Sequence, residues 1–321
     1  MSDSAPEVSI IMPMRNAAPY VGQALESLLV ETEVRLEVVV IDDGSTDRSR
    51  SVVETVGDDR IRLLEGPREG IAAAFNAGLQ SCRGELIMRC DADDLYPPGR
   101  IGRQVAWLRD HLEFGAICGA FAAMNSQGRS RLRFGTAPEP GEITDELRDG
   151  VTRTHFCTFA VRADVLKQLE GARPFFVTAE DIDLQYRLGE ACRVWYSPEP
   201  SYLYRIHDSS ITHRRRPEDK EFFDDCARTF QVQRRMRGND DLQLGVPPYL
   251  AASQGGASSA KAHMQGLLVG ATWSAYREGN YSGALSFAFQ GALASPASFD
   301  GWRNLAAVLV KTAVHGIVRR T

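Results

Sequence analysis

The sequence predicts an α/β fold in which a mainly parallel β-sheet is covered by helices on both faces. Three observations support this prediction. Apolar runs of strand length alternate with segments of helical periodicity through the first third of the 321-residue chain, the alternation repeats several times, and acidic residues directly follow two of the strand-like runs. Repeated β-then-α units are typical of parallel sheets with helical crossovers.

The elements follow in order along the chain. We predict strands at residues 8–12, 36–41, 60–64 and 86–90, which are short runs of β-forming residues. Helical spacing of apolar residues predicts helices over residues 20–29, 71–82 and 101–112, the last introduced by Pro97 and Pro98. In such sheets ligands bind at the carboxyl ends of the strands.

Composition excludes several classes of protein. With 43% hydrophobic and 25% charged residues, the chain is neither disordered nor a small disulfide-stapled protein, and its length allows one catalytic domain with a smaller appendage. The formal charge of −5 argues against a general polyanion binder, so we expect no nucleic-acid partner. Six scattered cysteines without a C-x-x-C pair and an N-terminus without a signal-peptide pattern predict a reduced, cytoplasmic protein.

Two acidic clusters should lie on the same rim of the sheet. The segment 42–47 reads DDGSTD after the second strand, and Asp91, Asp93 and Asp94 follow the fourth. Three carboxylates within four residues repel one another unless a cation lies between them. Hard oxygen ligands suit Mg²⁺ or Mn²⁺, commonly together with substrate phosphates. The alternative is a solvated acidic turn that caps the next helix.

Four segments in register resemble the family 2 glycosyltransferases of the GT-A fold. They read VSIIMPMRN, EVVVIDDGSTD, GIAAAFNAGLQSCRGELIMRCDADDLYPPGR and FFVTAEDIDLQYRL, and the resemblance covers about two-thirds of the chain. It is strongest to enzymes that build bacterial surface polysaccharides and lipooligosaccharides. The resemblance implies a Rossmann-like GT-A domain that transfers a sugar from a nucleotide sugar, usually a UDP-sugar, with inversion at the anomeric carbon.

The same resemblance implies a nucleotide-binding edge. Pro13, Arg15 and Asn16 should lie beside the base, with Arg15 standing where relatives usually have an aromatic residue. A guanidinium plane can also stack on a base. Asp42 matches the carboxylate that accepts a hydrogen bond from the uracil imide, and Asp43 lies beside it. We also expect Arg68 and Asn76 to approach the donor.

The family's Asp-x-Asp motif falls on Asp91-Ala92-Asp93. The resemblance places Asp91 near the ribose and Asp93 on a divalent metal that bridges the diphosphate, with Asp91 and His207 as further candidate metal ligands. In YLYRIHDSSIT, Arg205 is a candidate diphosphate contact, and His155 matches a region that often lines the acceptor site. Arg89 is either a donor contact or an ion-pair partner of the acidic cluster.

A general base is required on the side of the sugar opposite the diphosphate. Glu180 and Asp181 match the family's paired-acid motif, so the resemblance implies Asp181 as general base and Glu180 as an acceptor-orienting group. The alternative is that these acidic residues only cap a helix and complement its dipole.

Beyond the GT-A region, assigned to residues 1–238, the chain changes character. Residues 239–258 are rich in Pro, Gly, Ser and Ala and predict a linker, and residues 259–321 predict two or three packed helices. The last helix mixes apolar and basic residues, which suits either contact with a membrane surface or docking on protein, including a second copy of the chain. The acceptor would then be a hydroxyl of a glycan or a lipid-linked glycan.

Two alternatives to an active glycosyltransferase remain. One is a protein that retains the fold and binds nucleotide sugars without turnover, for which Arg15 and Phe75 are the hints. The other is a sugar-phosphate nucleotidyltransferase, disfavoured because no Gly-rich basic loop follows the first strand.

Overall fold

A computed structural model describes residues 5–128, 132–134, 139–207, 210, 216–249, 260–277 and 279–318. The chain forms two compact units. The first contains residues 1–205 and 219–252, and the second contains residues 206–218 and 253–321.

One nine-stranded sheet organises the first unit. Its order is β3-β2-β1-β4-β8-β5-β9-β7, with β6 paired to β5. Strands β1 to β4 run parallel, whereas β8 is antiparallel to both β4 and β5, and β9 is antiparallel to β7. The strands are β1 (Val8–Met14), β2 (Leu36–Asp42), β3 (Ile61–Glu65), β4 (Leu86–Arg89), β5 (Ala116–Asn125), β6 (Leu132–Phe134), β7 (Gly141–Glu142), β8 (Ala160–Arg162) and β9 (Val194–Ile206).

Most helices of the first unit lie between these strands along the chain, and the last of them follows β9. The helices are α1 (Val21–Leu29), α2 (Ser49–Val56), α3 (Ile71–Ser81), α4 (Arg100–Asp110), α5 (Thr144–Arg148), α6 (Ala163–Gln168), α7 (Glu180–Ala191) and α8 (Pro217–Arg237), with a 3-10 turn at Phe156–Thr158. The predicted α/β fold with a parallel sheet is confirmed, and each strand and helix predicted before residue 112 is present. Helix α2 was not predicted, and the sheet continues into an antiparallel part that periodicity did not reveal.

The register of the parallel strands fixes the position of the site. Met14 is aligned with Asp42, and Ile11 is aligned with Arg89, so β1 lies between the two strands that end in acidic segments. The residues of β1, β2 and β4 are all buried. The segments after these three strands consequently emerge at one edge of the sheet, as the sequence predicted.

The second unit contains three C-terminal helices, and this confirms the predicted helical region. They are α9 (Ala260–Arg277), α10 (Tyr281–Ala294) and α11 (Phe299–Val318). Ala275, Ala284, Ala288 and Val308 form their buried centre. In the helices that the structure describes, none is long and apolar enough to cross a membrane. Contact of this region with a membrane surface, or with a second copy, stays a prediction.

The predicted linker begins inside a folded region. Asp240 is fully buried in the first unit, where its carboxylate accepts hydrogen bonds from Arg173 (2.7 Å) and Arg234 (2.6 Å). Residues 250–259 lie outside the described residues. All six cysteines are free thiols, five of them buried.

Candidate active site

Arg89 connects the two acidic motifs that sequence reasoning had treated separately. Its Nε and Nη2 donate to the two carboxylate oxygens of Asp91 at 2.7 and 3.2 Å, and its Nη1 donates to Glu180 at 3.1 Å. Arg89 is only 5% exposed. Charge-assisted bonds from a rigid guanidinium fork hold carboxylates at fixed relative positions. The end of β4 and the start of α7 therefore form one charged site.

Glu180 and Asp181 lie in the first turn of α7, where negative charge is favoured by the helix dipole. Burial raises the pKa of both carboxyls, and the negative charges of Asp181 on Glu180 and of Asp91 on Asp181 raise them further. The positive charge of Arg89 acts in the opposite direction. A carboxylate with a raised pKa is a stronger base than an ordinary aspartate, which suits proton abstraction from a hydroxyl.

The acidic loop after β4 is fixed by contacts with β9. The backbone N–H of Asp91 donates to the Tyr202 hydroxyl at 3.1 Å, and the buried carboxylate of Asp94 accepts from the Arg205 backbone N–H at 2.6 Å. Burial raises the pKa of Asp94, and the charges of Asp93 and Asp91 raise it further. Asp93 is partly exposed at the tip of this loop.

Arg205 has a different position from the predicted diphosphate contact. Its side chain is buried, with 1% exposure, and donates to the Asp93 carbonyl (2.6 Å), the Ser126 carbonyl (2.9 Å) and the Gln23 side chain (3.1 Å). In this arrangement the guanidinium braces the Asp93 loop from inside the protein. Because its donors are directed at protein oxygens, we replace the predicted phosphate contact with a positioning role.

Asp42 lies at the nucleotide edge predicted from the sequence. Its Oδ1 accepts from the Ser45 backbone N–H at 2.9 Å, and its Oδ2 accepts from Arg50 Nη1 at 3.0 Å. Burial alone would raise the pKa of Asp42, but these hydrogen bonds and the Ser45 hydroxyl hold it below its ordinary value. The carboxylate therefore stays ionised and can accept further hydrogen bonds.

Asp43 organises the neighbouring loop. Its Oδ1 accepts from the Arg68 backbone N–H at 2.6 Å, and its Oδ2 accepts from the Gly70 N–H at 2.9 Å. Arg68 adopts a left-handed backbone conformation (φ 64°), and its exposed side chain pairs with Glu65 at 2.8 Å. Asp43 thus holds the loop that presents the Arg68 side chain.

The loops after β1 and β2 are joined to each other. Asn16 has φ 54°, its N–H donates to Ser45 Oγ at 3.0 Å, and its Oδ1 accepts from the Thr46 N–H at 2.7 Å. Pro13 is buried in β1 and is aligned with Ile41, whereas Arg15 is exposed. The predicted base-binding residues therefore lie together, with the Arg15 side chain accessible.

Asn76 is used for structure. Its Nδ2 donates to the Ala172 carbonyl at 2.7 Å, and its Oδ1 accepts from the Ala172 N–H at 2.9 Å. The nitrogen and the oxygen of this side-chain amide are both hydrogen-bonded to the backbone of the turn after α6. The predicted donor contact is therefore replaced by a link between α3 and that turn.

His155 lies between two aromatic rings. Phe121 contacts it edge-on at a ring-centroid distance of 4.3 Å, and Tyr204 stacks on it at 5.6 Å. Burial and the positive charge of Lys220 lower the pKa of His155 to about 4, so the imidazole is neutral at physiological pH. His207 belongs to the second unit, and its proposed place on the metal stays a prediction.

The carboxylates that follow β4 are the candidate ligands for a divalent metal. Both oxygens of Asp91 accept hydrogen bonds from Arg89, and Asp91 and Asp93 are both partly exposed. Among the described residues, no group of three or more His, Cys, Asp or Glu side chains is placed to hold an ion by itself. Mg²⁺ and Mn²⁺ commonly use one or two carboxylates together with substrate phosphates, so the residues present fit a metal that arrives with a diphosphate.

Comparison with known proteins decides the family. The sequence profile named Glycosyl transferase family 2 matches residues 9–170, about half of the chain. The chain belongs to glycosyltransferase family 2. This family 2 glycosyltransferase is 29% identical over 244 residues to EpsE of Bacillus subtilis (strain 168), a glycosyltransferase by name, covering 73% of this chain and 84% of EpsE.

Solved structures agree on the fold. The Staphylococcus aureus TarS fragment 1–349, in a structure with UDP-GlcNAc, aligns with a TM-score of 0.58 and 17% identity over 94% of this chain and 90% of that one. The mannosyltransferase PcManGT from Pyrobaculum calidifontis, with GDP-Man and Mn²⁺, aligns with a TM-score of 0.51 and 20% identity over 98% and 81% of the two chains. These similarities confirm the GT-A architecture of the family 2 glycosyltransferase.

Sequence reasoning missed three contributors to the site. Arg50 pairs with Asp42 from helix α2, which the periodicity had not revealed. Tyr202 binds the Asp91 backbone from β9, and Cys157 lies 3.7 Å from an Asp91 oxygen. The only signal for Arg50 was its place in a basic-and-serine segment after DDGSTD, and Tyr202 and Cys157 gave no signal because their roles depend on tertiary contact.

Proposed function

We propose that this family 2 glycosyltransferase moves a sugar from a nucleotide sugar, most simply a UDP-sugar, to a hydroxyl of a glycan or lipid-linked glycan acceptor, with inversion at the anomeric carbon. One observation carries the proposal. Arg89 joins Asp91 of the Asp-x-Asp loop to Glu180, the neighbour of Asp181, within a single charged site. A donor-binding carboxylate and an acceptor-activating carboxylate must face the same sugar, and the bonds of Arg89 to Asp91 and to the neighbour of Asp181 support this assignment.

Asp181 is the general base of the proposed reaction. It removes the proton from the acceptor hydroxyl as that oxygen attacks the anomeric carbon from the face opposite the diphosphate, and the bond to the diphosphate breaks. The product therefore has the opposite anomeric configuration to the donor. The raised pKa of Asp181 supports this role, because its basicity exceeds that of an exposed aspartate. Glu180, held by Arg89, orients the acceptor side.

The nucleotide binds at the edge formed by the loops after β1 and β2. Asp42 accepts a hydrogen bond from the base, Arg15 stacks on the base, and Arg68 approaches the phosphates from its exposed position. The two solved structures bind UDP-GlcNAc and GDP-Man respectively, so the identity of the base is a question for experiment.

Asp93 would hold a divalent ion, Mn²⁺ or Mg²⁺, together with the diphosphate. When bound, such an ion neutralises charge on the departing nucleoside diphosphate. Asp91 contributes to the donor side through its contact with Arg89, and Arg205 and Tyr202 keep the loop in place.

A thermal-shift and turnover experiment tests the proposal. UDP, GDP, dTDP and CMP are each added with and without Mn²⁺ to the wild type, to Asp93→Ala and to the exposed control Asp59→Ala. A nucleotide that binds only the folded state raises the Tm. We expect a metal-dependent shift with UDP that disappears in Asp93→Ala and persists in Asp59→Ala.

The matching UDP-sugars are then incubated with the enzyme, and release of UDP and the anomeric configuration of any product are measured. UDP release that requires Asp181 supports an active enzyme. Binding of a nucleotide without release of UDP in every condition would favour the alternative that the protein binds nucleotide sugars without turnover. If no nucleotide changes the Tm, the proposal is contradicted.

A further inference from the structure

Helix α8 packs against the first turn of α7, next to the proposed base. Phe223 and Ala227 of α8 share a buried cluster with Ala179 and Tyr186, which come from the residue before α7 and from its second turn. Side chains on the adjoining stripe of α8 are therefore brought towards Asp181. The proposed function assigns no role to α8.

That stripe carries three charged residues spaced four apart. Residues i and i+4 lie on one face of a helix, so Lys220, Asp224 and Arg228 form a single line of alternating charge. Lys220 and Arg228 are exposed, whereas Asp224 is only partly exposed. Burial raises the pKa of Asp224 and the charge of Asp225 raises it further, whereas the two cations on either side act in the opposite direction.

Asp224 has an unusual hydrogen-bonding state. Its Oδ1 is buried from solvent and has no hydrogen-bond partner in the part of the chain that the structure describes. A buried carboxylate oxygen without a donor is costly, and native proteins usually satisfy such atoms. A missing donor at the edge of a substrate site is most simply a group of the substrate.

The surroundings of Asp224 place it on the acceptor side. Its negative charge acts on Asp181 and on Tyr186, and the charge of its neighbour Lys220 acts on His155. Asp224 and Lys220 therefore lie close to both the proposed base and the aromatic cluster around His155. The nucleotide-binding residues belong to the loops after β1 and β2 and do not share these contacts.

We propose that Asp224 is an acceptor-binding residue whose buried Oδ1 receives a hydrogen bond from a hydroxyl of the acceptor sugar. The ligand is a polyol, a sugar ring with a second hydroxyl beside the one that reacts. Asp224 holds that second hydroxyl while Asp181 takes the proton from the first. This inference rests on the proposed glycosyl transfer and names a residue that sets acceptor specificity.

Kinetic measurements on Asp224→Asn, Asp224→Ala and the control Asp225→Asn test this. Asp225 is the adjacent exposed aspartate on the same helix, so the control carries the same charge change. Two rates are measured with the nucleotide sugar that the wild type uses. One is hydrolysis of the donor without acceptor, and the other is transfer to a panel of p-nitrophenyl glycosides of glucose, galactose, N-acetylglucosamine and mannose.

We expect the KM for the glycoside to rise about tenfold or more in both Asp224 variants, the loss typical of one hydrogen bond to a charged group. Donor hydrolysis should fall far less, and Asp225→Asn should behave as the wild type does. Because an unsatisfied buried charge is removed, the Tm of ligand-free Asp224→Asn should not fall.

Three results would overturn the inference. The first is an unchanged KM for the glycoside in both variants. The second is a parallel loss of hydrolysis, transfer and Tm, which marks Asp224 as a structural residue. The third is a wild type that hydrolyses the donor but neither modifies any glycoside nor is inhibited by one. In each of these cases donor hydrolysis by the wild type still supports the glycosyltransferase. If the wild type neither binds nor hydrolyses any nucleotide sugar, the proposed function fails first and the inference fails with it.

Discussion

At the scale of single residues, Arg89 and Asp181 determine the chemistry of the site. Arg89 compensates the charges of Asp91 and Glu180 in a buried position, while burial raises the pKa of Asp181 and the negative charges of Asp91 and Asp224 raise it further. Each of these two residues gives a separate prediction.

Replacing Arg89 should affect stability and catalysis differently according to the substitute. Arg89→Met leaves two carboxylates uncompensated, so the free energy of unfolding should fall by on the order of 3 kcal/mol in urea denaturation. Arg89→Lys keeps the charge but cannot donate to both carboxylates in the same way, so it should retain most of the stability and lose at least about tenfold in kcat.

Arg193→Met is the control for the two Arg89 substitutions. Arg193 forms an exposed pair with Glu142, and because solvent screens such a pair its loss should have little effect on stability and leave kcat unchanged. Wild-type kcat in Arg89→Lys would show that the bridge is structural only.

The pH dependence of activity follows from Asp181. Burial and the charges of Asp91 and Asp224 raise its pKa in the folded protein, so its basic form is present above that raised value and is lost as the pH falls through it. The acid limb of kcat/KM should therefore lie above the ordinary aspartate value of about 4. Asp181→Asn should abolish transfer, with a loss of at least about a hundredfold in kcat.

The ionised Asp181 carboxylate, which activity requires, should lower the stability of the folded protein. Since the fold favours the protonated form of Asp181, its ionisation destabilises the protein as the pH rises, and Asp181→Asn removes this effect. Its Tm should exceed that of the wild type at pH 7 and approach it near pH 4. A lower Tm for Asp181→Asn at both pH values would show that the carboxylate is a structural group.

At the scale of elements, the start of α7 is held by a buried charge network. Asp183 pairs with Arg173 and with Arg187, and Arg173 and Arg234 both pair with Asp240. Asp183 and Asp240 are fully buried. The network fixes α7 to α8 and to the segment after α8, and it therefore sets the position of Glu180 and Asp181.

Asp240→Asn tests whether residues after 238 belong to the catalytic unit. Removing one anion from a buried network leaves Arg173 and Arg234 less compensated, and we expect a loss of about 3 kcal/mol in the free energy of unfolding. Asp145→Asn is the control, because the Asp145 carboxylate is exposed in its pair with Arg148. A plain linker at this position would give equal stabilities for Asp240→Asn and the control.

At the scale of the whole molecule, the sequence predicted what depends on local pattern. Except for α2, the strands and helices before residue 112 follow periodicity, and Asp42, Asp93 and Asp181 were singled out because acidic residues after buried strands or at the start of a helix match the motifs of the family that the sequence resembles. Contacts between distant segments were not predictable. Asn76 bonding Ala172, or Arg205 turning inward to the Asp93 carbonyl, depends on packing that no spacing reveals. Short antiparallel strands such as β7 and β8 also lack a periodic signal.

The division into two units yields the last prediction. Asp42, Arg89, Asp93 and Asp181 all belong to the unit formed by residues 1–205 and 219–252. A chain ending after residue 252 should therefore melt cooperatively and retain metal-dependent hydrolysis of the donor, measured by circular dichroism and nucleotide release.

His207→Ala in the full chain separates structure from chemistry, because His207 is the one predicted metal ligand in the second unit. If the truncated chain hydrolyses donor and His207→Ala does not, His207 supplies the metal site from the retained segment 206–218. If both are active, the first unit alone contains the donor chemistry. A truncated chain that fails to melt cooperatively would mean that the C-terminal helices are needed for the catalytic unit to fold.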